Sequence, residues 1–207
     1  MVRIKMCGIT SIEDAEKAVS LGVDFLGFVF TESPRQIAAR QAEAIRKSIV
    51  GQIKIVGVFA NVSCEEDILA VSNLVPLDFI QIHGPWTNGK KIEPQKIIRA
   101  VRVKPDMSWE ALREYPDFYA LLFDTYSKTL MGGTGRAFDW PLLENVPKDR
   151  RVILAGGLTP ENIFKAVSTV QPYGVDVSSG IEKTPGRKDH EKMECFVKEV
   201  RRAKVEH

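Results

Sequence analysis

The sequence predicts an α/β chain folded as a closed barrel of eight parallel strands joined by helices, and three observations carry that reading. Eight short apolar runs rich in Val, Ile and Phe recur along the 207 residues. Helix-like segments lie between them, the pattern of parallel strands linked by crossovers. The runs are apolar on both faces, and eight such alternations fit a (β/α)8 (TIM) barrel better than an open doubly wound sheet. One domain spanning 1–207 is expected, lean for this architecture, and a chain of this size buries roughly 70% of the surface it exposes when unfolded.

The strands are expected at Val2–Cys7, Asp24–Phe30, Ile53–Phe59, Asp78–Ile82, Lys96–Val103, Tyr119–Phe123, Arg151–Leu154 and Gly174–Val177. Ala38, Ala42, Ile45 and Ile49 share one helical face, as do Met193, Phe196, Val197 and Val200 near the end. Thr10 with Glu13, and Ser63 with Glu66, have the spacing of a capping box, while Thr159 sets a cap ahead of Pro160 at a first helical position. Gly22 is placed to stop the first helix. The stretch Gly84-Pro85-Trp86-Thr87-Asn88-Gly89-Lys90-Lys91 reads as turn and loop, so the fourth helix should be short or missing. Ser127 to Arg136, polar and glycine-rich after the sixth strand, is expected to be a mobile loop that closes over ligand.

Charge and cysteine usage exclude several classes. With 29 basic and 27 acidic side chains, a formal net charge of +2 and no long basic run, the chain lacks the one-sided charge of a nucleic-acid or membrane-surface binder. Cys7, Cys64 and Cys195 are odd in number and far apart, which favours neither a disulfide framework nor a zinc site and points to a reducing cytoplasm. The amino terminus opens inside a strand pattern, and no apolar stretch approaches the roughly 18 residues of a membrane span. A monomer or homodimer acting on a small phosphorylated molecule is the expectation.

The chemistry is concentrated at strand ends. Cys7 closes the first strand and is followed at once by Gly8, which places its thiol at the barrel mouth as a base if the site stabilises the thiolate; the plain alternative is a buried small hydrophobe. Asp124 closes the sixth, where desolvation would hold it protonated as a general acid, against the plain role of capping a turn. Gly156-Gly157 and Ser179-Gly180 end strands seven and eight, the usual phosphate site of this fold, although glycine there also serves tight turns alone. Arg35, on the loop after strand two, is placed to fork onto a ligand carboxylate or to remain a surface arginine. His83 ends strand four and lines the pocket without histidine partners for a metal, and Asp176 orders the Ser-Ser-Gly turn or holds a ligand hydroxyl.

These residues resemble a known family. Lys5-Met6-Cys7-Gly8-Ile9-Thr10, Leu26 to Phe30 with Ser33-Pro34-Arg35, Val56 to Phe59, Gln81-Ile82-His83-Gly84, Gly132 to Gly135 with Phe138-Asp139-Trp140, Leu154 to Leu158 and Val175 to Glu182 are similar to the phosphoribosylanthranilate isomerase family of tryptophan biosynthesis. The resemblance runs from the first strand to the last loop. It implies an Amadori rearrangement without cofactor or metal: Cys7 removes the C2 proton and Asp124 protonates the furanose ring oxygen. It further implies that Arg35 contacts the anthranilate carboxylate and that Gly156, Gly157, Ser179 and Gly180 cradle the phosphate. Met6 departs from the expected isoleucine or leucine, which changes packing and not chemistry. The related isomerase of histidine biosynthesis ranks below it, because that family resembles a barrel with an aspartate at the first-strand position and a phosphate turn in each half. A noncatalytic sugar-phosphate-binding barrel is disfavoured by the retention of both Cys7 and Asp124.

Overall fold

A computed structural model describes residues 1–62, 64–86, 91–103, 110–124, 146 and 149–203. Eight parallel strands close on themselves in sequence order: β1 (Arg3–Cys7), β2 (Phe25–Val29), β3 (Lys54–Ala60), β4 (Phe79–His83), β5 (Ile97–Arg102), β6 (Ala120–Asp124), β7 (Val152–Ala155) and β8 (Gly174–Val177). Every one falls on an expected run, with no end shifted by more than one residue. The seam between first and last strands is fastened by the register Arg3↔Gly174 to Met6↔Val177.

Side-chain alternation divides the core into two layers. Phe25, Val29, Val56, Val58, Ile98, Ala100, Ala120, Leu122, Ile153 and Ala155 pack with Cys7 inside the barrel. Ile4, Met6, Leu26, Phe28, Ile55, Leu121 and Phe123 point outward and pack under the helices. Each fully buried Ile, Leu or Phe among them contributes on the order of 1.5–3 kcal/mol. Met6 is wholly buried in the outer layer, as expected of a packing substitution.

The helices are α1 (Ile12–Ser20), α2 (Ala39–Ser48), α3 (Glu65–Leu74), α4 (Ile163–Val170) and α5 (His190–Arg202) among the described residues. Ala42 and Ile45 of α2, and Met193, Phe196, Val197 and Val200 of α5, are buried as their spacing predicts. Between β4 and β5 the described residues form only a single 3-10 turn, Pro94–Lys96, in keeping with the loop-like fourth unit. A short 3-10 helix, Glu110–Glu114, precedes β6. The Ser127–Arg136 loop, the Gly132–Gly135 and Phe138–Trp140 motifs, Ser63 and His207 lie outside the described residues. No described helix is long and apolar enough to cross a membrane.

Two caps differ from the sequence reading. The N-cap of α1 is Ser11, which accepts from the Asp14 N–H at 3.2 Å; the Thr10 hydroxyl is instead spent on the Gly186 carbonyl, a contact made only in the folded chain. Helix α4 begins after Asn162 rather than at Thr159, because the Asn162 amide accepts from Thr159 N–H and donates to the Gly157 carbonyl, each at 2.9 Å. Gly22, at φ +66°, does end α1, and Arg201 of α5 donates to the Leu21 and Gly22 carbonyls there. The first and last helices are thereby clasped, with a further ion pair between Lys17 and Glu194. After β8 a two-strand hairpin, β9 (Glu182–Thr184) and β10 (Arg187–Lys188), folds back over the barrel mouth before α5.

Candidate active site

The carboxyl ends of the strands surround a cavity of about 440 Å³, within the range of about 300–1,000 Å³ usual for small-molecule sites. Cys7, Arg35, His83, Asp124, Gly156, Gly157, Asp176 and Ser179 all line it. Eight of the nine residues singled out from sequence are thus gathered at one mouth. An adjoining hollow of about 840 Å³ shares His83 and Asp124 and is walled by Arg99 and Arg102.

Gly180 is the ninth, and it stands behind the cavity wall. A Cβ at this position would lie 1.9 Å from the Leu158 carbonyl oxygen, so its lack of a side chain lets the loop after β8 press against the loop after β7. Gly156 and Gly157, at φ +86° and +64°, take a left-handed backbone that exposes the turn to the cavity. Asn162 braces that turn through the two hydrogen bonds described above.

Cys7 is 8% exposed and faces inward at the end of β1. Its carbonyl accepts from the Lys188 ammonium at 2.6 Å and from the Ser178 hydroxyl at 3.1 Å. Burial pushes the thiol up from its ordinary value; Lys5 is the strongest opposing influence, Asp176 adds to the rise, and Lys188 reduces it. Asp124 is half-buried at the end of β6, facing the cavity rather than enclosed in apolar surroundings. Burial also holds His83 down, to about 4, despite the nearby Asp124 carboxylate, so its imidazole is neutral at physiological pH. The ring Nε2 accepts from the Gln81 side-chain amide at 2.7 Å.

Arg35 does make the fork that its position suggested, but onto the protein: Nε and Nη2 donate to the two oxygens of Glu182 at 2.8 and 2.7 Å. Glu182 also accepts from Lys188 at 2.9 Å. Arg35 and Lys188 hold the Glu182 carboxyl below its usual value against the opposing effect of burial, and burial lowers Lys188. Arg35 still lines the cavity. Asp176 is buried and accepts from the Lys5 ammonium at 2.9 Å. It orders the strand end through that pair.

Lys5, Gln81, Glu182 and Lys188 are site residues that the sequence reading did not single out. Strand parity was a signal for Lys5, because a residue two before Cys7 on one strand shares its face. Nothing local marked Glu182 or Lys188, whose burial depends on each other.

A profile described as N-(5'phosphoribosyl)anthranilate (PRA) isomerase matches residues 4–199. The chain is 44% identical over 204 residues to the N-(5'-phosphoribosyl)anthranilate isomerase of Pseudomonas fluorescens, covering 97% of this chain and 98% of the relative. Its fold superposes on the crystal structure of phosphoribosyl anthranilate isomerase from Thermotoga maritima with TM-score 0.81 and 37% identity, covering 97% and 99% of the two chains. A crystal structure of the same kind of enzyme in complex with reduced 1-(o-carboxyphenylamino)-1-deoxyribulose 5-phosphate matches with TM-score 0.78 and 35% identity, over 97% of this chain and 99% of that one. On this evidence the chain belongs to the N-(5'-phosphoribosyl)anthranilate isomerase family.

Proposed function

We propose that the cavity carries out the family's Amadori rearrangement, N-(5-phosphoribosyl)anthranilate to 1-(2-carboxyphenylamino)-1-deoxyribulose 5-phosphate, with Cys7 as general base and Asp124 as general acid. The observation that carries the reading is that a thiol from β1 and a carboxyl from β6 open into one cavity, beside the glycine turns that end β7 and β8. In this reading the phosphate is held at the turns Gly156-Gly157 and Ser179-Gly180, which fixes the sugar's 5-end.

In this reading Asp124 gives its proton to the furanose ring oxygen. The C1–O bond breaks, and the nitrogen lone pair forms a C1=N double bond. Cys7 then removes the C2 proton; the C2–H pair becomes a C1–C2 double bond, and the C1=N pair returns to nitrogen as the lone pair of an enolamine. Tautomerisation yields the aminoketose. Neutral His83 offers a hydrogen bond without a competing charge, and the Arg35 edge left beside the Glu182 fork faces the cavity for the anthranilate carboxylate.

The direct test follows the fluorescence of freshly made phosphoribosylanthranilate on addition of the protein. Cys7→Ser and Asp124→Asn should each lose about 10²–10⁴ in turnover, the range for removing one general acid or base, while still binding a reduced product analogue. Undiminished turnover in either variant removes that residue from the mechanism.

A further inference from the structure

Lys5 is a charged group for which the reaction above has no direct use. It lies on the inward face of β1, two residues before Cys7, and is 1% exposed. Its ammonium donates to Asp176 Oδ1 at 2.9 Å, and it shares the space over Gly27 with the Cys7 sulfur. Gly27 of β2, paired in register with Cys7, provides the room: a Cβ there would lie 2.8 Å from the sulfur and 3.0 Å from the Lys5 nitrogen. Sulfur and carboxylate line the cavity, and the ammonium lies beside them on the inward face of β1, covered on the β2 side by a glycine.

We propose that Lys5 is a positioning residue acting through Cys7: its ammonium, anchored by Asp176, is the counter-charge of the Cys7 thiolate that accepts the C2 proton. The proposal rests on the assignment of Cys7 as general base. Lys5 itself stays protonated throughout. Asp176 and Cys7 hold its ammonium form above the ordinary value in spite of complete burial. When the thiolate takes the substrate proton an S–H bond forms and a negative charge leaves the sulfur, so the ammonium favours the state before transfer.

The other charged groups around Cys7 do not replace it. Lys188 of β10 bonds the Cys7 carbonyl rather than the sulfur, and Arg35 of the β2–α2 loop forks onto Glu182, the carboxylate the two cations share. Asp176 of β8 is negative and raises the thiol; Asp124 of β6 and neutral His83 of β4 face the cavity from across the barrel. Lys5 shares the inward face of β1 with the thiol and crowds the same point over Gly27 as the sulfur.

The test is Lys5→Met, read by the pH dependence of Cys7 alkylation with iodoacetamide. Peptide mapping separates Cys7 from the exposed Cys64 and Cys195. The alkylation inflection should move up by at least about one pH unit, which leaves about tenfold less thiolate below both inflections. The acid limb of kcat/KM should move with it, and binding of the reduced product analogue should persist. An unmoved inflection in the folded variant overturns the proposal. Should Lys5→Met not fold, ¹⁵N-lysine spectra of the unaltered protein decide: the Lys5 Nζ resonance should shift at the Cys7 alkylation inflection and lose that shift in Cys7→Ser. A resonance indifferent to Cys7 ionisation overturns the coupling. Undiminished turnover in Cys7→Ser overturns the base assignment and the role of Lys5 with it, whereas an unmoved inflection beside an inactive Cys7→Ser overturns the role of Lys5 alone.

Discussion

Replacing Gly180 by alanine should damage catalysis without touching a reacting atom. Gly180 sits in the 3-10 turn Ser179–Ile181, and its ideal Cβ would lie 1.9 Å from the Leu158 carbonyl oxygen, 2.9 Å from the carbonyl carbon and 3.1 Å from Thr159 Cα. All three are backbone atoms, so no rotamer change relieves the collision. Bringing the 1.9 Å approach out even to 3.0 Å demands that the two loops part by about 1 Å. Those loops are braced, one by Asn162 on Gly157 and Thr159, the other by the Ile181 N–H on the Ser178 carbonyl.

Overpacking of this kind costs about 1–3 kcal/mol, which lowers the thermal midpoint by roughly 2–12 °C in a protein of this size. A misplacement of about 1 Å in substrate positioning is worth about 10²-fold in rate. Gly180→Ala should therefore lose on the order of 10² in kcat/KM in the fluorescence assay, and inorganic phosphate should become a weaker competitive inhibitor. Gly157→Ala is the control for backbone conformation, since its Cβ meets nothing within 4 Å and only the φ of +64° opposes it, a cost of about 1–2 kcal/mol. Wild-type kcat/KM and phosphate inhibition in a Gly180→Ala protein of unchanged midpoint would refute the reasoning.

Two further outcomes follow from the electrostatics. Glu182→Gln removes the acceptor shared by Arg35 and Lys188 and leaves a buried ammonium without its carboxylate; breaking such a pair costs about 3–5 kcal/mol in urea unfolding. Because Glu182 titrates below its unfolded value, its contribution is present above about pH 4.3 and fades as the pH falls through the lower folded value, so the variant should lack that acid-side slope. His83 works in the same sense at higher pH: its folded value of about 4 lies below that of the unfolded chain, so the unfolded state binds the extra proton between about pH 6.5 and 4 and stability falls on acidification across that window. His83→Gln should flatten the loss, by about 3 kcal/mol at most, in unfolding curves measured at pH 7 and 4.5.

The strands and their order were legible because parallel strands in a closed barrel are covered on both faces, which leaves a continuous apolar run whatever the tertiary detail. Strand-end chemistry was legible for the same reason: once the runs are placed, Cys7, His83 and Asp124 must stand at the mouth. The caps were less so. Thr10 has the right spacing for a capping box, but its hydroxyl goes to Gly186, some 176 residues away in sequence, and Ser11 takes the cap. Asn162 likewise stands at the start of α4 in place of Thr159, its amide spent on the Thr159 N–H and the Gly157 carbonyl of the preceding turn. A local pattern cannot rank two neighbouring hydroxyl or amide groups when the deciding partner is remote.

The same remoteness explains why the buried charges were missed and what they imply for assembly of the site. Lys5 is admissible inside the barrel only with Asp176, which lies on the last strand, and Arg35 and Lys188 are admissible only with Glu182 on the hairpin beyond it. The Cys7 carbonyl is held by Ser178 and Lys188, 171 and 181 residues further along the chain. The strand that bears the thiol is the first in the chain, yet Asp176, Ser178 and Lys188, which surround it, arrive with β8 and the segment that follows it. The surroundings of Cys7 thus depend on the β1–β8 seam: each ion pair compensates a desolvation penalty only once the barrel has closed, so the interactions that surround the thiol are the ones that reward closure.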